Sequence, residues 1–579
     1  MLSNRESKGA PQHRQESKVT IEHDESNFMI VTKVTFERPH ASRIIAGGDV
    51  MNPATEPHHA RAAKHSVGWR GAAARIVGST LLASILVLGG CAAGPNYHTP
   101  KPDTPPRFAV SFLPVGSPAP ADEQELATWW RALGDSELDS LVDRAIRSNL
   151  DIEIALTRLQ QARTYESVVM SVALPQINAS AAAARGTGSD LGRARADQAL
   201  VSATNTAGLT QINTLEGFDA IWELDLFGKF RREIEATKYD AQAAAAARYG
   251  VITTVIADVV RGYIDLRGFQ VQAGVLRQAV DVLRESLRLE SIRYQRGIIN
   301  ELDEALASRE LSTVEAQLAP MMAQEKAAQY ALAVLVGEYP ENMVQELSRP
   351  DLVPSMPAAA SAGTPLELLK RRPDVQEAER QLASATARIG VATANLYPQV
   401  GLVGSIGAQG QGWGTSPAIG SHIWSFGPAA LWPVLDFGAL DAQVDVARLG
   451  RRAYLLNYRR AILNAVQQVD TALDAYSAQQ DRLKNLGDGL LAAQRAVDLA
   501  TARYNRGMTD YLNVVDAERQ LYDIQEEYAQ AQVAEGEQFV QLYKSLGGGW
   551  ENYQSVPAIQ RPLPAIIAAF RRAVTSSAP

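Results

Sequence analysis

The sequence predicts a mostly α-helical fold joined to strands of a membrane β-barrel, built from one unit written twice. Three observations carry this prediction. The first is an internal repeat. Arg293-Tyr294-Gln295-Arg296-Gly297 returns as Arg503-Tyr504-Asn505-Arg506-Gly507, Phe227-Gly228 as Phe437-Gly438 and Leu335-Val336-Gly337 as Ser545-Leu546-Gly547, all at an offset of 210 (507 − 297). Earlier in each copy the offset is 223 (398 − 175), because Leu174-Pro175-Gln176-Ile177 returns as Tyr397-Pro398-Gln399-Val400 and Leu150-Asp151-Ile152 as Pro373-Asp374-Val375. The first copy therefore holds 13 additional residues (223 − 210) between Gln176 and Leu226. The second observation is length without proline, from Lys229 to Ala319 and again from Val434 to Val556, which permits very long helices. The third is a set of short segments with period-two patterning just before those helices.

In chain order, Cys91 comes first. It is the only cysteine, so no internal disulfide forms and a four-cysteine zinc site is excluded. Arg70 and Arg75 precede an apolar run from Ile76 to Leu88, too short to cross a bilayer but suited to a secretory signal. The run ends in Leu88-Gly89-Gly90-Cys91, which resembles a bacterial lipobox. That resemblance implies a covalent lipid on Cys91 as the first mature residue, and Ala92 in second place is compatible with outer-membrane delivery. Ninety residues precede Cys91, more than a signal needs, and Met51 offers a nearer start.

Phe218, Ala220, Trp222, Leu224 and Leu226 alternate with Asp219, Ile221, Glu223 and Asp225, giving one apolar and one mostly acidic face. Such a strand suits a wall between lipid and a watery lumen. Pro175 to Arg185, Tyr397 to Gly407 and His422 to Phe437, with Trp424 and Trp432, supply the other three, joined by loops at 186–214 and 408–421.

Next come the helices. Ile252, Val255, Ile256, Val259, Tyr263 and Leu266 recur at three- and four-residue steps, and the stripe returns at the 210 offset as Ile462, Ala465, Val466, Val469, Leu473 and Tyr476. Lys229 to Arg296 would reach roughly 100 Å as a helix. Gly297 and Gly507 fall where the chain must turn back, beside Tyr294 and Tyr504, so each copy reads as a helical hairpin with a tight tip. Glu338 to Pro365, with five prolines, reads as an irregular linker, and residues 550–579 as a tail holding Ile566, Ile567 and Phe570 beside Arg571 and Arg572.

Composition narrows the function classes. Hydrophobic residues make up 46% and aromatics 7%, so alanine carries much of the apolar content, as close helix packing favours. A net charge of -8 argues against a nucleic-acid partner. Six of the eight histidines precede Cys91, leaving His98 and His422 in no nucleophile or metal motif. No catalytic residue, metal site or cofactor is expected, and the chain reads as a non-enzyme.

Leu366-Glu367-Leu368-Leu369-Lys370-Arg371-Arg372-Pro373-Asp374-Val375 with Ala378-Glu379 resembles the NodT-type lipoprotein branch of TolC-like outer-membrane efflux factors. Gly94-Pro95-Asn96-Tyr97 and Trp129-Trp130 before Leu138 and Leu141-Val142 carry the same resemblance. It implies a homotrimer in the outer membrane, four strands per chain completing a 12-stranded barrel, and a long α-helical periplasmic tunnel. It also implies a passive exit duct working with a periplasmic adaptor and an inner-membrane pump that selects the cargo. By the same resemblance, Leu512 is the apolar constriction of the periplasmic tip, Asp516 an acidic ring and Arg519 part of a charged latch. The first copy places Leu302, Leu306 and Arg309 at the 210 offset, so Asp516 has no acidic twin. The expected organisation is a leader over 1–90, a lipid-anchored segment over 91–130, repeats over 131–345 and 366–549 with a linker over 346–365, and a tail over 550–579.

Overall fold

The computed structural model describes residues 92–101, 105, 108–109, 123–187, 210–357, 364–411 and 421–555. Cys91, the tail from residue 556 and most of both strand-joining loops lie outside the described residues.

Short helix α1 (Glu123–Ala127) and a 3-10 turn (Trp129–Leu133) lead into α2 (Ser136–Ser148) and α3 (Leu150–Val172). Asp135 caps α2 by accepting from the backbone N–H groups of Glu137 and Leu138, and Asn149 caps α3 in the same way. Strands β1 (Gln176–Thr187) and β2 (Thr210–Leu224) follow, then the long hairpin of α4 (Lys229–Gln295) and α5 (Glu301–Val336). After α6 (Pro340–Leu347) and α7 (Pro365–Arg371) the order repeats as α8 (Pro373–Ala394), β3 (Gln399–Gln411), β4 (Ser421–Leu431), α9 (Ala439–Asn505) and α10 (Leu512–Leu546). Pro373 starts α8, where its missing N–H has no partner to lose.

Four details depart from the sequence reading. Helix α5 runs through Pro320 to Val336, with the proline on an exposed face where one lost backbone bond can be met by water. The expected linker contains α6, held by Met343 and Leu347 in the core, with Pro340 starting it. Strands β2 and β3 reach into segments read as loops, because their Gly, Ser, Thr and Gln content hides the alternation. The strand expected to reach Phe437 stops at Leu431; Trp432 and Pro433 follow, and Phe437 has a left-handed φ of 55°.

Among the described residues the sheet is antiparallel throughout, in the order β1-β2-β3-β4, so β1 and β4 are both open edges. Its register aligns Ala179, Phe218, Ile406 and Trp424 in one cross-strand row and Ile177, Ala220, Gly404 and Phe426 in another. The intervening row is Asn178, Asp219, Ser405 and Ser425. Since alternate rows face opposite ways, the first two rows share an apolar face and the third lies on the opposite, mixed face, where Ile221, Val403 and Ile423 also stand. Asn178 donates to Asp219, and the Ser405 and Ser425 hydroxyls bond at 2.8 Å.

The main core sits where α2, α4, α8, α9 and α10 meet. Trp129 stacks on Tyr543 and meets Phe539 edge-on, with Leu138, Leu141, Val142, Ile256 and Val259 in the same cluster. Burying each large side chain contributes about 1.5–3 kcal/mol. Arg267 lies inside this core and its two terminal nitrogens donate to Glu137, Gln270, the Tyr263 hydroxyl and the Arg349 carbonyl, while its Nε is buried without a partner.

Candidate functional site

The two hairpin tips are built alike. Gly297 and Gly507 take φ of 68° and 69°, and nothing lies within 4 Å of a Cβ placed on either, so glycine is demanded by backbone geometry rather than space. In each tip the glycine N–H donates to a tyrosine carbonyl, Tyr294 or Tyr504, at 2.8 Å, and the next N–H reaches Arg293 or Arg503. The side chains then diverge. Tyr294 is 40% exposed. Tyr504 donates at 2.9 Å to Glu290, which Arg293 also holds at 2.9 Å. Burial, then the Glu290 bond, pushes the Tyr504 hydroxyl up to about 12. Tyr511, packed with Ala307, Val514 and Val515, bonds Ser286 at 2.7 Å. These contacts tie the α9–α10 tip to the α4–α5 hairpin.

Leu512, Asp516 and Arg519 fall four and then three residues apart, on one exposed stripe of α10. Leu512 is 55% exposed, and Leu302 on α5 is 62% exposed. Asp516 accepts from Gln520, and among the described residues no salt bridge joins it to Arg519. Arg519 instead lines a cleft of about 110 Å³ between α4, α5 and α10, beside Glu310 and Asp523. Arg309 meets Glu310 at 3.6 Å. Within one chain, then, Leu512, Asp516 and Arg519 share one stripe of α10, while Arg309 pairs with Glu310 on α5.

At the opposite end of the helices the chain marks the sheet–helix junction twice. The Trp222 indole donates to the Ala173 carbonyl at 3.1 Å, and the Trp432 indole to the Leu396 carbonyl at 3.2 Å. These residues are repeat mates at offsets 210 and 223, so the same bond is made in both copies. Beside this junction runs the segment after Cys91. The Ala93 N–H donates to the Phe227 carbonyl, while Arg232 donates to the Ala93 and Gly94 carbonyls and to Asn96. Gly94 has φ 84°, and a Cβ there would overlap the backbone of Gly390. Tyr97 donates to Glu379, so the strap touches elements of both copies.

The copies differ in how they are covered. Helix α4 buries 28 residues, whereas α9, equally long at 67, buries seven, a difference that leaves most of one α9 flank bare. On it Leu449, Leu456 and Leu463 stand exposed at seven-residue intervals, the spacing of a helix–helix seam. Phe227 stacks on Tyr397 at 4.6 Å, while its repeat mate Phe437 is 91% exposed.

Sequence reasoning missed the Tyr504–Glu290–Arg293 link and the paired indole–carbonyl bonds. The 210 offset between Trp222 and Trp432 was the available signal for the second. Among the described residues no cluster of His, Cys, Asp and Glu is arranged to hold a metal ion.

Comparison with known proteins gives consistent matches. The family described as outer membrane efflux protein matches residues 141–338 and 364–548. The chain is 29% identical over 466 residues to nodulation protein T of Rhizobium leguminosarum bv. trifolii, covering 80% of this chain and 96% of that one. It is 29% identical over 474 residues to the pyoverdine export outer membrane protein OpmQ of Pseudomonas aeruginosa, covering 82% and 97%. Among solved structures, the outer-membrane channel OprN superposes with a TM-score of 0.69 at 33% identity, covering 79% of this chain and all of that one. The open-state MtrE outer membrane channel of Neisseria gonorrhoeae superposes with a TM-score of 0.65 at 25% identity, covering 80% and 100%.

Proposed function

Because this chain belongs to the outer membrane efflux protein family, we propose that three copies of it close around one axis into a 12-stranded barrel continued by a helical periplasmic tunnel. The protein is an outer-membrane efflux channel subunit, the passive exit duct of a tripartite pump. The observation that carries the trimer is the four-stranded sheet with two open edges. In hydrocarbon each unpaired backbone group costs several kcal/mol, so β1 and β4 require partner strands, which neighbouring copies supply. The bare flank of α9 supports the same assembly below the membrane. The apolar sheet rows then face lipid and the row with Asp219 and Ser405 faces the lumen.

In this reading the repeats over 131–345 and 366–549 each give one strand pair and one hairpin. Leu512 and Asp516 ring the axis at the periplasmic tip, where the hairpin turns at Gly297 and Gly507 meet a periplasmic adaptor, itself joined to an inner-membrane pump. Arg519, Leu302 and Arg309 belong to the same tip. The described strap begins at Ala92 beside the sheet–helix junction, and a lipid on Cys91 would tie it to the outer membrane. Outer-membrane fractions run with and without boiling, and after amine cross-linking, test the assembly. A heat-sensitive species of three chains is expected; a single chain migrating identically in both conditions refutes closure by partner copies.

A further inference from the structure

Glu518 on α10 and Glu310 on α5 are both buried, on facing helices of the two hairpins, one turn beyond the contacts that tie the tips together. Glu518 has one carboxylate oxygen, Oε2, that is buried with no hydrogen-bond partner. A buried carboxylate in that state is costly, whereas a protonated one is not. Among the described residues no salt bridge joins a cation to Glu518. Helix α5 presents Glu310, whose own partner is Arg309 at 3.6 Å. Helix α4 presents Glu290, already held by Tyr504 of α9 and by Arg293. Helix α10 itself adds Tyr511 and Tyr522, which donate no charge, and Arg519 and Asp523, which line one cleft together with Glu310.

We infer that Glu518 is a proton-operated latch against the face of α5 that carries Glu310, closed while its carboxyl is protonated and loosened when it ionises. The inference rests on the reading of Leu512 and Asp516 as the constriction, and adds what regulates it. Leu512, Asp516 and Glu518 lie within two turns of one helix, so a displacement of α10 from α5 at Glu518 moves the other two. Burial first, and the Glu310 charge second, push the Glu518 carboxyl up to about 7. The joined state therefore holds a proton that the separated state releases. Joining is favoured in acid and weakens as pH rises from the ordinary carboxyl range to about 7, by at most about tenfold per pH unit.

The test is open probability in planar bilayers from pH 5 to pH 8 for the wild type and Glu518→Gln, which keeps the shape and cannot ionise. The wild type is expected to open severalfold more often at pH 8 than at pH 5, and Glu518→Gln to stay at the acid value throughout. Equal pH slopes in the two, or no slope in the wild type, overturn the latch. A protonated-carboxyl infrared band that titrates near neutrality in the wild type and is missing in Glu518→Gln reports the Glu518 proton without reference to conductance. If that band and its loss are found while Leu512→Ala leaves conductance unchanged, the proton site stands and the constriction assignment fails. If Leu512→Ala widens the pore but the band does not change in Glu518→Gln, the latch fails alone.

Discussion

Removing one hydroxyl at the tip should loosen the closed duct. Tyr504→Phe deletes the 2.9 Å bond to Glu290 and leaves the ring, over which Arg293 lies at 5.1 Å, in place. Glu290 is 3% exposed and retains Arg293 as its other partner, so water cannot readily replace the lost donor. A hydrogen bond to a charged group contributes about 1.5–3 kcal/mol. At about 1.4 kcal/mol per factor of ten, each chain's tip-to-hairpin contact weakens roughly tenfold or more. Single-channel recording at fixed pH and salt should show open probability rising by at least that factor. The repeat mate provides the control. Tyr294 occupies the matching backbone position, and among the described residues no side-chain hydrogen bond reaches its hydroxyl, so Tyr294→Phe should be silent. If Tyr504→Phe and Tyr294→Phe both behave as wild type, the tip is not held by this contact and the reasoning is wrong.

Two further outcomes are expected. Substituting Leu512 and Asp516 together with alanine should raise single-channel conductance, because an apolar collar and its charge are removed from one face of α10; unaltered conductance would discredit that face as the constriction. Cys91→Ala should abolish incorporation of labelled palmitate, and a label that persists would place the lipid elsewhere.

Much of the fold is legible in the sequence because duplication preserves spacing. The 210 offset links Gly297 to Gly507 and carries over to matching turn bonds, and the stripe through Ile252 and Ile462 marks the buried side of both long helices. What escapes is set by chemistry that spacing does not encode. Glu290 and Glu518 occur in helical sequence like any solvated acid, and only the approach of another hairpin buries them. Pro320 looks like a helix end, yet its solvent-facing position lets the helix continue. The open sheet edges are equally invisible in composition, since strand order is settled by pairing across the whole chain.

The strap after Cys91 bears on the order of assembly. Gly94 rests on Gly390 and Tyr97 on Glu379, both contributed by the second copy, while Arg232 comes from the first. A polypeptide secreted from its N-terminus exposes the strap long before it delivers α8. The tether therefore reaches its seat only after both halves have docked, which makes a seated anchor a report of a finished subunit.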